Sequence, residues 1–150
     1  MITVAITIGD PRGIGPEIAT KALSHILITS RSRTRFVFIG AEGWHNGLPP
    51  RLRTKVMPLL DSSALLQKSF KTVRHSNIYF IAMPPAPEGV HYLDWVPSKA
   101  VEVAHNLCAH NVCQAMVTGP IDKEALQRAG YAYAGHTDML ASLNGLKKSD

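Results

Sequence analysis

The sequence Gln114-Ala-Met-Val-Thr-Gly-Pro-Ile-Asp-Lys123 decides the fold. Its first five residues form a short, mostly apolar run, which predicts a buried β-strand over residues 114–118 that ends at Gly119-Pro120. Proline suits the first turn of a helix, because it lacks the N–H group that a first-turn residue leaves unused. The sequence therefore predicts a strand followed at once by a helix with Lys123 in its first turn.

A second helix start follows at Gly135-His136-Thr137. Gly130 is predicted to end the first helix, because glycine readily takes the left-handed conformation of a helix end. Thr137 is predicted to be the N-cap of the helix that carries the apolar residues of 139–143. Two helix N-termini, a lysine, an imidazole and a hydroxyl group suit a phosphorylated, polyhydroxylated small molecule.

The N-terminal sequence predicts a second part of the same site. An apolar run over residues 2–8 predicts the first strand, and residues 9–17, Gly-Asp-Pro-Arg-Gly-Ile-Gly-Pro-Glu, predict a glycine-rich turn that leads into a helix. This turn follows the carboxyl end of the strand, where open α/β sheets bind ligands. Ile18 stands where a dinucleotide fingerprint needs a small residue, and no Gly-Lys-Ser/Thr follows, so neither nucleotide-binding motif is present.

These motifs together resemble the 4-hydroxythreonine-4-phosphate dehydrogenase family, the NAD-dependent, metal-requiring oxidoreductases of pyridoxal phosphate biosynthesis. The resemblance rests on residues 9–17, Thr118-Gly119-Pro120 with Lys123, Ala129-Gly130 and Gly135-His136-Thr137. Relatives within the family act on threonate or erythronate 4-phosphates, and residues 121–126 resemble theirs at least as much. The resemblance implies a three-layer α/β/α fold, similar to isocitrate and isopropylmalate dehydrogenases and truncated here to the N-terminal half.

The family resemblance also implies a reaction. Family members oxidise a secondary alcohol by hydride transfer to NAD and then decarboxylate the β-keto acid with the help of a divalent metal. For this chain the expected activity is oxidation and decarboxylation of 4-phosphohydroxy-L-threonine. D-threonate or D-erythronate 4-phosphate dehydrogenase and a noncatalytic α/β binding module are the alternatives. The family's metal ligands lie beyond residue 150, so no metal-binding or NAD-binding residue is assigned, and family members are homodimers.

The resemblance implies that His136 and Thr137 bind the substrate. Lys123 is a candidate for contact with the substrate or its phosphate, because a lysine near the positive end of a helix dipole is unfavourable unless an anion lies beside it. Asp10 is a further candidate for such a contact. Its alternative role is to accept hydrogen bonds from amides of its own loop.

Other polar residues receive weaker assignments. Glu17 has the same two interpretations as Asp10, whereas Arg12 occupies a variable place in the loop pattern and receives no role. A zinc site is a superficial possibility within residues 105–113, which contain two histidines and two cysteines. The predicted helix and strand would both have to distort to bring the four donors together, so this interpretation is set aside.

The middle of the chain alternates strands and helices, which favours a parallel sheet. Strands are predicted at 35–39, 56–60 and 77–82, a short helix near 41–46, a proline-rich loop at 84–89, and a helix capped by Ser98. Residues 1–150 are expected to form the N-terminal α/β portion of a two-domain dehydrogenase. An inter-domain crossing is predicted near residues 84–97.

Composition sets outer limits. The 150 residues are 45% hydrophobic, with a formal net charge of +5 and only two cysteines, which gives no disulfide framework. The basic residues of 31–35 and 51–55 have no interleaved aromatic residues to stack on bases, so a nucleic-acid partner is not expected. Gly9-Asp10 interrupts the first apolar run far short of a membrane span. We expect a cytoplasmic protein without a membrane partner, and a segment that is inactive alone.

Overall fold

The computed structural model describes residues 1–29, 34–59, 62 and 77–146. Its strands are β1 (Ile2–Thr7), β2 (Thr34–Gly40), β3 (Met57–Leu59), β4 (Ile78–Ala82) and β5 (Ala115–Thr118). Its helices are α1 (Gly15–Thr29), α2 (Glu42–Gly47), α3 (Pro50–Arg53), α4 (Tyr92–Ala109), α5 (Lys123–Arg128) and α6 (His136–Leu143). Residue 60 of the predicted strand 56–60, and the basic residues 31 and 33, lie outside the described ranges.

The strands form one sheet in the order β3-β4-β2-β1-β5, and every neighbouring pair is parallel. In this register Ile6 of β1 lies opposite Phe38 of β2 on one side and Val117 of β5 on the other. Parallel strands need crossover connections, which the helices between them supply. The predicted parallel α/β sheet is therefore confirmed.

Helices cover both faces of this sheet, because successive strand side chains point to opposite faces. One face packs against α1, α2 and α3 around Ile8, Leu23, Phe38, Trp44 and Phe80. The other face packs against α4 around Val37, Ile39, Tyr79, Ile81, Val96, Ala100 and Leu107. This arrangement confirms the predicted three-layer α/β/α fold. No helix in the described ranges has the length and apolar character that a bilayer crossing requires.

Two short helices, α5 and α6, pack on α4 through a small apolar cluster of their own. Val101 of α4, Leu126 of α5 and Met139 of α6 are almost fully buried there. Because the cluster ties both helices to α4, it fixes their N-terminal ends relative to the sheet. Those ends carry Lys123 and His136, the two residues that the sequence singled out.

The predicted cap of α4 is wrong. This helix begins at Tyr92, and Ser98 lies inside it next to Pro97, with only 1% of its surface exposed. The pair Pro97-Ser98 has the composition of a helix start. Burial of Trp95 and Val96 against the sheet extends the helix toward its N-terminus and overrides that local preference. The inter-domain crossing expected near residues 84–97 stays a prediction.

Two other helix starts also differ from the prediction. Asp122 caps α5 by accepting a hydrogen bond from the Glu124 N–H at 2.9 Å, so Pro120 lies in the preceding loop and not in the first turn. In α6 the cap position belongs to Gly135, and Thr137 is the second residue of the helix. Lys123 is nevertheless in the first turn of α5, as predicted.

The loops after β1 and β5 approach each other so closely that only glycine fits at the contact. The Asp10 N–H donates to the Pro120 carbonyl at 2.9 Å, and the Gly119 N–H donates to the Thr7 carbonyl at 2.8 Å. A β-carbon on Gly9 would lie 2.3 Å from the Pro120 oxygen, and one on Gly119 would lie 2.5 Å from the Ile8 oxygen. Real β-carbons do not approach backbone atoms this closely, so either side chain would push the loops apart.

We expect Gly119→Ala to lower the free energy of unfolding by about 1–3 kcal/mol, because the added methyl group meets rigid backbone. Gly47→Ala is the matched control, since a β-carbon at Gly47 meets nothing within 4 Å. That variant is expected to be neutral or slightly stabilising, by up to about 1 kcal/mol. Urea unfolding followed by circular dichroism measures both. Equal stability of the two variants would contradict the assigned contact.

Candidate functional site

The candidate site lies at the carboxyl ends of β1 and β5. The chain passes from β1 to β2 on one side of β1, whereas β5 lies on the other side, so the strand order reverses between β1 and β5. Crevices at such reversal points are the usual ligand sites of open α/β sheets. The loop after β1 and the loop after β5 meet at this point, and α5 and α6 begin beside it.

His136 is the residue with the clearest capacity to bind a ligand. It is the first residue of α6, it is half-buried, and its Nε2 atom is buried without a hydrogen-bond partner among the described residues. Burial lowers the pKa of this imidazole below its ordinary value of 6.5. The ring is therefore neutral at pH 7, and its Nε2 can donate or accept one hydrogen bond according to the tautomer.

Lys123 lies beside the same helix start. It is exposed at the N-terminus of α5, and its Cε atom lies 4.0 Å from the position that a β-carbon on Gly135 would take. The Lys123 side chain therefore lies close to the N-terminal amides of α6. Both attract negative charge. Thr137 is exposed on the next position of α6, so the structure brings together Lys123, His136 and Thr137.

Asp10 has a different environment. Its carboxylate accepts hydrogen bonds from the Arg12 N–H at 2.8 Å and from the Arg12 guanidinium at 3.1 and 3.3 Å. These are the loop contacts that the sequence analysis gave as the alternative role. Glu17 points to solvent and pairs with Lys21 at 2.6 Å, with 65% of its side chain exposed.

Asp94 is the centre of an ion cluster that sequence reasoning missed. Its side chain is 8% exposed and accepts hydrogen bonds from Arg12 at 2.7 Å and from Arg128 at 3.1 Å on both carboxylate oxygens. With Asp10, these residues form the Asp94 cluster, which joins the β1 loop, the start of α4 and the end of α5. Arg128 also lies 3.6 Å from Asp122, the cap of α5. These ion pairs hold the β1 loop, α4 and α5 together around the candidate site.

The two guanidinium groups also set the ionisation of Asp94. Hydrogen bonds from Arg128 and then Arg12 lower the pKa of its carboxyl group from 3.8 to about 2, although burial opposes the shift. Asp94 also lies in the first turn of α4, where the helix dipole favours negative charge. Local charges balance within the cluster, so its arginines are already paired and are not open to an anionic ligand.

The residues considered for zinc are dispersed. His105 and Cys108 lie on α4, whereas Cys113 lies before β5 and is buried, and burial raises the pKa of its thiol to about 12. Both cysteines are free. Within the described part of the chain, no group of three or more His, Cys, Asp or Glu side chains is arranged to hold a metal ion. The metal that the resemblance implies does not fit these residues.

No local sequence pattern identifies the Asp94 cluster. Arg12 and Asp94 are separated by 82 positions and Asp94 and Arg128 by 34, so only the folded chain brings them together. The one available sign was an acidic residue near the start of a helix, and the predicted start was placed after Asp94. The correct start at Tyr92 would have put Asp94 in the first turn.

The fold and the position of the site define the class of the protein. It is a doubly wound parallel α/β protein, and its candidate site lies at the point where the strand order reverses. Residues 91–149 match the family model described as "Pyridoxal phosphate biosynthetic protein PdxA". The chain resembles PdxA-family proteins over nearly its whole length and corresponds to the N-terminal portion of these relatives.

Individual relatives match over nearly the whole chain. The chain is 35% identical to the 4-hydroxythreonine-4-phosphate dehydrogenase of Prosthecochloris aestuarii, over 95% of this chain and 44% of that protein. It is 34% identical to the D-threonate 4-phosphate dehydrogenase of Salmonella typhimurium, over 94% of this chain and 43% of that protein. The crystal structure of 4-hydroxythreonine-4-phosphate dehydrogenase from Klebsiella pneumoniae superposes with a TM-score of 0.70 at 26% identity. The superposition covers 97% of this chain and 45% of that protein. The chain therefore spans less than half the length of these relatives.

We expect Asp94→Asn to lower the free energy of unfolding at pH 7 by about 1–3 kcal/mol, because two arginines lose a charged acceptor. A carboxylate whose pKa is lowered by folding stabilises the protein above its unfolded pKa, here near 3.8, and that contribution disappears as the pH falls through about 2. The difference in the free energy of unfolding between the variant and the wild type should therefore become smaller from pH 4 to pH 2. Urea unfolding at several pH values measures it.

Glu17→Gln is the control for this prediction. The Glu17–Lys21 pair is exposed on α1, so its loss should leave stability almost unchanged. If Asp94→Asn gave a stability difference that did not vary between pH 7 and pH 2, the carboxylate charge would not be the source of the effect.

Proposed function

We propose that this chain is the substrate-binding, N-terminal portion of an NAD-dependent and metal-dependent 4-hydroxythreonine-4-phosphate dehydrogenase. The observation that carries the proposal is the unpartnered, buried Nε2 of His136 at the start of α6, where Lys123 of α5 lies beside Gly135. The relatives named above act, by their names, on small hydroxylated phosphate esters. A cation, a helix N-terminus and a neutral imidazole are the groups that such a ligand needs.

Each residue has a separate role in this proposal. Lys123 and the first amides of α6 attract the anionic end of the substrate, while the neutral His136 ring and the Thr137 hydroxyl bind its hydroxyl groups. Asp10 orders the β1 loop through Arg12, because a carboxylate already held by a guanidinium is a poor partner for a phosphate. The dehydrogenase reaction also needs a hydride acceptor, NAD. Because the resemblance places the family's metal ligands beyond residue 150, we assign substrate binding to this chain.

A second substrate has comparable support. The identities to the 4-hydroxythreonine-4-phosphate and D-threonate 4-phosphate enzymes are 35% and 34%, a difference too small to choose between them. Both ligands carry a phosphate and hydroxyl groups, but 4-hydroxythreonine 4-phosphate has an amino group where threonate has a hydroxyl. Measuring the affinity of the same protein for each ligand shows which of the two phosphate esters the site prefers.

Isothermal titration of the purified chain with each phosphate ester tests the site. We expect His136→Ala and Lys123→Ala each to weaken binding by roughly 10-fold or more, which corresponds to the loss of about 1.4 kcal/mol. The matched controls are His25→Ala and Lys21→Ala, since both residues are exposed on α1 away from the site. These controls should bind as wild type does. Equal affinities for wild type and both site variants would refute the assignment.

The proposal also makes a statement about turnover. We expect no NADH production when the chain alone is mixed with NAD, a divalent metal and either ester, because the family's metal ligands lie outside it. Absorbance at the nicotinamide band measures the rate. Robust NADH production by the purified chain would show that the catalytic groups are within these residues and would overturn the division of roles.

A further inference from the structure

A second pocket lies at the carboxyl end of the sheet, between the loops that follow β1 and β2. Its volume is about 400 Å³. Because β1 and β2 are parallel neighbours, their carboxyl ends meet at the same edge of the sheet. The walls come from both loops and from the starts of α1, α2 and α4, and they include Ile8, Pro11, Pro16, Trp44, Tyr92 and Leu93. We call this space the β1–β2 pocket.

The walls of the β1–β2 pocket are mainly apolar and aromatic. The Trp44 indole N–H is already engaged, because it donates to the Pro16 carbonyl at 3.2 Å and to the Thr20 hydroxyl at 3.1 Å. The Tyr92 hydroxyl donates to the Met83 carbonyl at 3.2 Å. Ring faces and aliphatic surface are therefore what these walls offer to a ligand. Small-molecule sites have this kind of lining and volumes from about 300 Å³ upward, so the pocket suits a flat, uncharged ring.

A carboxylate lies at the edge of this pocket. Glu42 is exposed and stands between Ala41 and Gly43, both of which line the pocket. Burial raises the pKa of the Tyr92 hydroxyl group, a hydrogen bond with the Glu42 backbone opposes the shift, and the Glu42 charge adds to it. The carboxylate is therefore close to the Tyr92 wall. In doubly wound folds that bind dinucleotides, an acidic side chain at a corresponding place accepts hydrogen bonds from ribose hydroxyl groups.

We propose that the β1–β2 pocket binds the adenosine half of NAD. The adenine ring packs among Pro11, Trp44 and Tyr92, and the Glu42 carboxylate accepts hydrogen bonds from the ribose hydroxyl groups. Residues 9–17 lack the glycine fingerprint that binds a pyrophosphate, so the ring and the ribose carry the recognition. The identity of the cofactor rests on the proposed function, but the pocket uses none of the residues assigned to the substrate.

The fluorescence of Trp44 reports on binding, because its indole lines the pocket. Trp95 is the other tryptophan of the sequence, so the measurement uses Trp95→Phe. We expect adenosine and NAD to quench Trp44 and to compete with each other, whereas nicotinamide mononucleotide leaves the signal unchanged. Circular dichroism verifies that Trp95→Phe is folded. If it is not, isothermal titration of the wild-type chain with the same three compounds replaces the fluorescence measurement.

Glu42→Gln tests the ribose contact. It should weaken adenosine binding by about 10-fold or more, because a neutral amide replaces a charged acceptor. The same variant should bind 2′,3′-dideoxyadenosine as wild type does, since that compound lacks both hydroxyl groups. Glu17→Gln is the matched control, because Glu17 is an exposed carboxylate on α1 that does not line the pocket, and it should leave adenosine binding unchanged.

Three results would overturn the inference. They are the absence of adenosine binding, equal weakening of adenosine and dideoxyadenosine by Glu42→Gln, and quenching by nicotinamide mononucleotide alone. Titration with the phosphate esters separates this inference from the proposed function. Binding of the esters without adenosine would refute the adenosine pocket alone, whereas binding of adenosine without the esters would refute the substrate site alone.

Discussion

The close contact between the loops after β1 and β5 is the constraint on which the site depends. Gly9 and Gly119 let two backbones pass at distances that no side chain permits, and hydrogen bonds from Asp10 and Gly119 close the contact from both directions. Neither loop backbone can easily move aside to admit a side chain, because packed protein interiors have little free space. The direction in which each loop leaves the sheet is thereby fixed, and with it the direction in which the chain continues toward α5.

Charge is separated around this contact. The Asp94 cluster pairs its arginines internally, so it holds α4 and α5 to the β1 loop without attracting a ligand. Lys123 and the N-terminus of α6 lie next to each other and are not part of the cluster, so its carboxylates do not pair with them. An ion cluster with buried carboxylates and partly exposed arginines is weak evidence for stability on its own. Here its value is geometric, because it joins three elements that carry or flank the site.

Most of the fold could be predicted from sequence because it follows from local patterns. Short apolar runs predicted each of the five described strands, and the glycine motifs predicted the loops of the site. Helix starts were less predictable, since burial of Trp95 extended α4 past the local start at Ser98 and the Asp122 cap moved the start of α5. The Asp94 cluster was not predictable at all, because it joins residues 34 and 82 positions apart.

Strand β5 links the candidate site to the open side of the sheet. Its carboxyl end leads through Gly119 to Lys123, and within the described ranges no further strand pairs with its outer edge. The loop after β5 is held by its contact with the β1 loop and by the Asp122 cap of α5. Ligand-binding loops belong to the less stable parts of a fold. A ligand held between Lys123 and His136 would therefore restrict the motion of this loop.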